Sequence, residues 1–335
     1  MTRFAAAVAL VTALAAGTAA AQTLEWKFNN SYAPSRAESG HVRDFAADVK
    51  RLSGDKFVIN VLEGGAMGLR DADALRWMQQ GTPEMGFIWP PFIGRDAPDL
   101  ASLYVYGSVA SADEHLKALP ELKKILTEGM ARWNIEAIGY MGLTILDASV
   151  FCRQPVSTLE QLKRMKLRVG SREQLETFAA LGVAAQIVPQ QELYSAMQTG
   201  VVDCALYPAR ILHTISLQEV AKHASYTGFP FPPVPYVMMA HQAKWKALPA
   251  EHKKAVGEAI ALLEKRSFDF SKDAEEEKAA RDKLASQGVT WHPAFSATDQ
   301  EAIRQAALKT WDKIAAETGK TGPEYRGRIL KALGR

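Results

Sequence analysis

Arg168 stands in the stretch LKRMKLRVGS (residues 162–171), where Met165, Leu167 and Val169 alternate with Lys166 and Arg168. A period of two predicts a short, half-buried strand with both basic side chains on one face. An arginine suits the capture of an anion, because its planar fork donates two parallel hydrogen bonds and keeps its charge at any biological pH. Alternation by itself sends Arg168 and Lys166 alike to solvent. Aromatic side chains gather at the ends of other strand-like runs. Trp89 closes EMGFIW (84–89), with Phe92 just beyond Pro90-Pro91, and Tyr207 closes VVDCALY (201–207). Strand ends in open α/β sheets face a crevice, so these three rings are candidate contacts for a small ligand. Tyr140, ahead of an expected crossover, and Phe229, in the proline-stiffened YTGFPFPPVPY (226–236), complete the candidate set. Asp203 is read as fixing a helix–strand turn by hydrogen bonds.

Signatures of catalysis and of cofactors do not survive inspection. The seven histidines never fall at i, i+4 about a glutamate, so a zinc hydrolase is not expected and no metal or cofactor is assigned. There is no GxSxG elbow for a nucleophilic serine. ETGKTG (317–322) ends like a phosphate-binding loop, but Ile314 stands where the motif requires glycine, and the run follows a helical segment. EGGAMG (63–68) lacks the spacing of a dinucleotide loop and reads as a tight turn after a strand. Lys and Arg number 40 against 37 Asp and Glu, interspersed without a basic block, which argues against a nucleic-acid partner.

The N-terminus, MTRFAAAVALVTALAAGTAAAQ, has a basic residue at Arg3, an apolar run from Phe4 to about Ala16, and Ala19-Ala20-Ala21 before Gln22. That is the layout of a cleaved export signal over residues 1–21, and it places the mature chain outside the cytoplasm. No other run approaches the ~18–20 apolar residues of a membrane span. Cys152 and Cys204 could pair in an oxidising compartment, but two cysteines compose no disulfide framework, so pairing is left open.

Behind the candidate residues lie alternating strands and helices. LEWKFNN (24–30), KFVINVL (56–62), EMGFIW, IEAIGY (135–140), TILDASVFC (144–152), KLRVG (166–170), AAQIV (184–188) and VVDCALY read as strands. Amphipathic stretches at 38–54, about 71–80, from Ser111, 172–182 and 190–200 read as helices. Ser111 with Glu114, Ser157 with Glu160 and Ser171 with Gln174 form start signals for three helices. The alternation points to an α/β protein with largely parallel sheets, and 335 residues at 47% hydrophobic supply core for two domains. From Pro249 to about Ser286 runs a helix-compatible stretch broken only weakly by Gly257; continuous, it would measure roughly 55 Å. A helix of that length is expected to bridge two lobes, and two lobes leave a cleft for a ligand.

Three segments together resemble the solute-binding proteins of TRAP (tripartite ATP-independent periplasmic) transporters. They are FVINVLEGGAMGLRDADALRWMQQGTPEMGFI (57–88); QPVSTLEQLKRMKLRVGSREQLETFAALGVAAQIVPQQELYSAMQTGVVDCALYP (154–208); and Glu219-Val220 with the later KWKALP. The resemblance covers essentially the whole mature chain. It implies a two-lobed periplasmic-binding-protein-like fold with a ligand cleft between the lobes and a long helix spanning both. Lobe I would comprise 22–147 plus about 234–273, and lobe II 148–233 plus about 274–335. It further implies a monomeric, non-catalytic periplasmic protein that captures an organic acid and delivers it to membrane permease subunits. The family's carboxylate-clamping arginine falls, by position, on Arg168. Where the family pattern runs D-G-x-E-N-P, this chain has Asp203-Cys204-Ala205-Leu206-Tyr207-Pro208, so a ring with a hydroxyl replaces a compact amide. The expected ligand is accordingly a monocarboxylate with an apolar or aromatic body. A ligand-sensing subunit for a membrane receptor, and a secreted enzyme acting on organic acids, remain the alternative readings.

Overall fold

The computed structural model describes residues 23–109 and 111–335; the export signal read at 1–21 lies outside them. Eleven strands are described. In chain order they are β1 (Leu24–Asn29), β2 (Phe57–Leu62), β3 (Met85–Ile88), β4 (Ile135–Met141), β5 (Asp147–Cys152), β6 (Lys166–Val169), β7 (Ala184–Ile187), β8 (Cys204–Pro208), β9 (His223–Pro230), β10 (Tyr236–His241) and β11 (Thr290–Trp291). They form two sheets, ordered β2-β1-β3-β10-β4 and β11-β9-β5-β8-β6-β7. The sheets are mixed, not largely parallel. β1 runs parallel to β2 and β3, and β6 parallel to β7 and β8, but β10 and β5 run antiparallel to their neighbours. Both reversed strands begin just after the chain has crossed from the other sheet. A strand that enters from the opposite lobe runs against the strands that were wound in place.

The crossings occur at 142–146 and 231–235. A third lies within the long helical run, which is two helices rather than one. Ala250–Ser267 packs on β4 and on the first helix, Ala37–Leu52, while Asp273–Ser286 packs on Ala209–Leu212 beside the second sheet. The two therefore still span both lobes, with a break at 268–272. Gly142 fastens the first crossing to the third: its N–H donates to Ser267 Oγ at 2.8 Å. A Cβ on Gly142 would lie 2.2 Å from the Ser267 carbonyl oxygen, so no larger residue fits. Helix Ala297–Glu317 packs on Arg172–Ala180, and Thr321–Ala332 returns to Ala112–Ala131 beside the first sheet. The sequence placed everything after about 274 with the second lobe; this last helix departs from that.

Local signals act much as their chemistry dictates. Gly81, at φ 72°, ends helix Ala74–Gln80, and the Ser111 hydroxyl accepts the Glu114 N–H at 3.2 Å. The cap read at Ser157 belongs to Thr158, whose hydroxyl accepts the Gln161 N–H at 3.1 Å. Asp203 Oδ2 accepts the Lys166 N–H at 3.0 Å and fixes the turn it stands in. Cys152 and Cys204 face each other across the antiparallel β5–β8 pair, Cα atoms 4.1 Å apart, and form a disulfide.

The break at 268–272 closes over His115, which is fully buried with rings of Tyr104, Phe268 and Phe270 about it and, among the described residues, no hydrogen-bond partner for either ring nitrogen. Burial, helped by the charge of Lys123, pushes its pKa down to about 4. The unfolded chain therefore binds a proton on this ring before the folded protein does. Its contribution to stability is whole above pH ~6.5 and is lost as pH falls towards 4. Between pH 7 and pH 5 the loss should be about 2 kcal/mol. Chemical denaturation of wild type and His115→Leu at both pH values should show that excess in the wild type alone; equal pH slopes would refute it.

Candidate ligand-binding site

β6 is a parallel strand, and its C-terminal end points into the crevice between the sheets, which is where Arg168 stands. Lys166, two residues earlier on the same face, is at the far end of the strand, exposed, with its ammonium on the Gly200 carbonyl. Position along the strand separates the two basic side chains that alternation could not. Arg168 is 4% exposed. Its Nε donates to the Val188 carbonyl at 2.9 Å, and its guanidinium lies 5.8 Å from the centre of the Tyr207 ring. Among the described residues no carboxylate pairs with it. Burial pulls its pKa down to about 10, opposed only by Tyr207, so it stays charged at neutral pH.

The same rule builds the rest of the wall. β1 ends into Tyr32 and Arg36, β3 into Trp89 and Phe92, and β8 into Tyr207 and Pro208; Tyr236 opens β10 from the crossover side. These enclose a cavity of about 60 Å³, floored by Leu143, Leu146, Leu206, Ile211 and Phe231. Trp89 is held by donating its indole N–H to the Val234 carbonyl at 3.1 Å and by edge contact with Phe92. Gln174 accepts the Gly170 N–H at 3.0 Å, and the Tyr207 hydroxyl is buried without a hydrogen-bond partner among the described residues. A second hollow of about 290 Å³ shares Phe92, Arg168, Gly170 and Gln190 with the first and opens between the glycine turn and 187–192. Arg168 stands where the two hollows meet.

Arg36 is the basic residue that sequence reasoning missed. It is 4% exposed, donates from Nε to Glu38 Oε2 at 3.0 Å and from a terminal nitrogen to Glu38 Oε1, and lies 4.0 Å from the Tyr32 ring centre. Its other terminal nitrogen reaches Gln190 Oε1 at 3.2 Å, from the opposite lobe. Burial pushes the Glu38 carboxyl up, but Arg36 and the Tyr236 hydroxyl more than offset this and hold it below its ordinary value. The strand-end rule that picked out Trp89 and Tyr207 applies equally to the loop after β1 and would have found both Tyr32 and Arg36.

Arg168, Trp89, Phe92 and Tyr207 thus share one cavity. Tyr140 and Phe229 do not belong to it. The Tyr140 hydroxyl donates to the Lys123 carbonyl at 2.6 Å, on the helix behind β4. Phe229 is still inside β9 and packs edge-on against Tyr106, 5.5 Å away, whereas Phe231, at the start of the crossing, lines the cavity.

The family model for bacterial extracellular solute-binding proteins, family 7 (DctP), matches residues 28–318. The C4-dicarboxylate-binding periplasmic protein DctP of Rhodobacter capsulatus is 24% identical over 317 residues, 90% of this chain and 89% of that one. Among solved structures, the TRAP periplasmic solute-binding protein of Desulfovibrio salexigens with bound orotic acid superposes with a TM-score of 0.84, at 20% identity over 93% of this chain and 99% of that one. DctP7 of Bordetella pertussis, an extracytoplasmic solute receptor binding pyroglutamic acid, gives 0.82 at 20% identity over 93% and 100%.

Proposed function

Because the chain belongs to the DctP family of bacterial extracellular solute-binding proteins, a family of transport receptors and not of enzymes, we propose that it captures a monocarboxylate with an apolar or aromatic body. The carboxylate sits on Arg168, and the body lies against Trp89, Phe92, Tyr207 and Phe231. The exported, monomeric protein then presents the loaded cleft to the permease subunits of a TRAP transporter. One observation carries the reading: Arg168 is a buried guanidinium with no carboxylate partner among the described residues. A buried charge is retained at a cost unless something pairs with it, and a ligand carboxylate would do so. The Tyr207 hydroxyl in the same wall has no hydrogen-bond partner among the described residues.

Magnitudes say what else is needed. One charge-assisted pair contributes on the order of 1.5–3 kcal/mol, whereas micromolar affinity needs about 8 kcal/mol. The difference has to come from burying the body of the ligand, which favours rings and branched chains over short polar acids. The inner cavity is smaller than the ~150 Å³ that holds a benzene ring, so a ring would extend into the adjoining hollow. Orotic and pyroglutamic acids, each a ring with one carboxylate, lend support as ligands of structural neighbours; the dicarboxylate relative supports only the carboxylate. A thermal-shift screen tests the proposal. Phenylacetate, branched 2-oxoacids and pyroglutamate should raise the melting temperature by mass action. Stabilisation by succinate or malate without any by the monoacids would overturn the ligand class.

A further inference from the structure

We infer that Glu38 sets the charge of the ligand this site accepts, by cancelling Arg36 and leaving Arg168, among the described residues, as the uncompensated cation in the cavity wall. The inference rests on the carboxylate reading above and adds a specificity-determining residue to it.

The wall holds two arginines, Arg36 and Arg168, and two clamping cations facing one cleft would suit a dianion. Glu38 removes that option. It takes Arg36 by two of its nitrogens, and its Oε1 also accepts the Tyr236 hydroxyl at 2.9 Å. At 6% exposure for Glu38 and 4% for Arg36, the pair has little solvent to screen it. A second ligand carboxylate reaching towards Arg36 would meet a guanidinium whose charge is already offset by Glu38, which is bonded to it from outside the cavity lining. Towards the mouth the adjoining hollow carries Asp71 and Glu192 beside Arg70, and Arg70 has its own carboxylate neighbour in Asp73 at 3.9 Å. Everywhere else the inner cavity offers rings, aliphatic side chains and amides. Arg36 keeps donors to spare and can still give a neutral hydrogen bond, to a hydroxyl or carbonyl on the ligand. The site therefore takes one negative charge, at Arg168, and selects against two.

The test uses the mature full-length protein and matched acids of one and two charges: phenylacetate with 4-carboxyphenylacetate, and hexanoate with adipate, titrated calorimetrically at neutral pH. Wild type should favour the monoacid of each pair at least tenfold. Glu38→Gln, which frees the Arg36 charge, should raise diacid affinity at least tenfold and close or invert that ratio. Arg36→Gln leaves Glu38 unpaired and should act in the opposite direction, widening the ratio as it weakens monoacid binding. A pair that served structure alone would change both members of each acid pair together. Folded Glu38→Gln with an unchanged ratio overturns the inference while the carboxylate reading stands. If Glu38→Gln does not fold, an unchanged ratio in Arg36→Gln overturns it instead. Failure of every acid to bind wild type removes the carboxylate reading and this inference with it.

Discussion

Arg168→Met should melt no lower than wild type in the absence of acids and should show no stabilisation by the monocarboxylates that stabilise wild type. Two opposed effects lead to this combination. In the free protein the guanidinium is buried with one hydrogen bond, to the Val188 carbonyl. The fall of its pKa to about 10 records a burial cost on the order of 3 kcal/mol. Methionine fills similar volume, gives up that bond at about 1 kcal/mol, and removes the buried charge. In the complex the balance reverses, because the ligand carboxylate would be buried without a cation. Losing one partner of a desolvated charge pair costs about 2–5 kcal/mol, so affinity should fall roughly thirtyfold or more. Thermal shift with phenylacetate, beside circular dichroism to confirm folding, reads both quantities. A ligand-induced shift as large as wild type would dismiss Arg168 as the anchor.

Opening the disulfide is the largest stability change we expect. Cys152 and Cys204, 52 positions apart, are both essentially fully buried and join strands that are already paired. On the chain-entropy account, closing a loop of that length restricts the unfolded chain by about 4 kcal/mol. Cys152→Ala with Cys204→Ala should lose about that much by denaturant unfolding, and wild type under dithiothreitol should match it. The bridge lies at the end of β8 away from Tyr207, so the ligand-induced shift in the double variant should keep its size. A stability loss under 1 kcal/mol would remove the bridge from the account of this fold.

What could be read from the sequence divides along physical lines. Strands announce themselves by alternation and helices by caps and period, so the order of elements follows from local pattern. Arg168 as a strand residue is equally local, but its lack of a carboxylate partner among the described residues is a property of the folded cleft and has no counterpart in spacing. Arg36 and Glu38 illustrate the converse: two opposite charges at the start of a helix look solvated, and only the fold brings Tyr32, Gln190 and Tyr236 against them. Propensity also loses where burial competes with it. Nothing between Gly257 and Ser286 stops a helix, yet the chain breaks at 268–272, where Phe268 and Phe270 turn in against His115. Tyr140 and Phe229 were placed by proximity to crossovers. Being one turn of chain from a hinge does not decide which face of the strand a ring leaves.

Four segments join the halves of the molecule: 142–146, 231–235, 268–272 and the return at 318–320. The first and third are sewn together where Gly142 meets Ser267, so neither strap can shift without the other. Any change in the width of the gap between the halves is therefore shared by both straps at once.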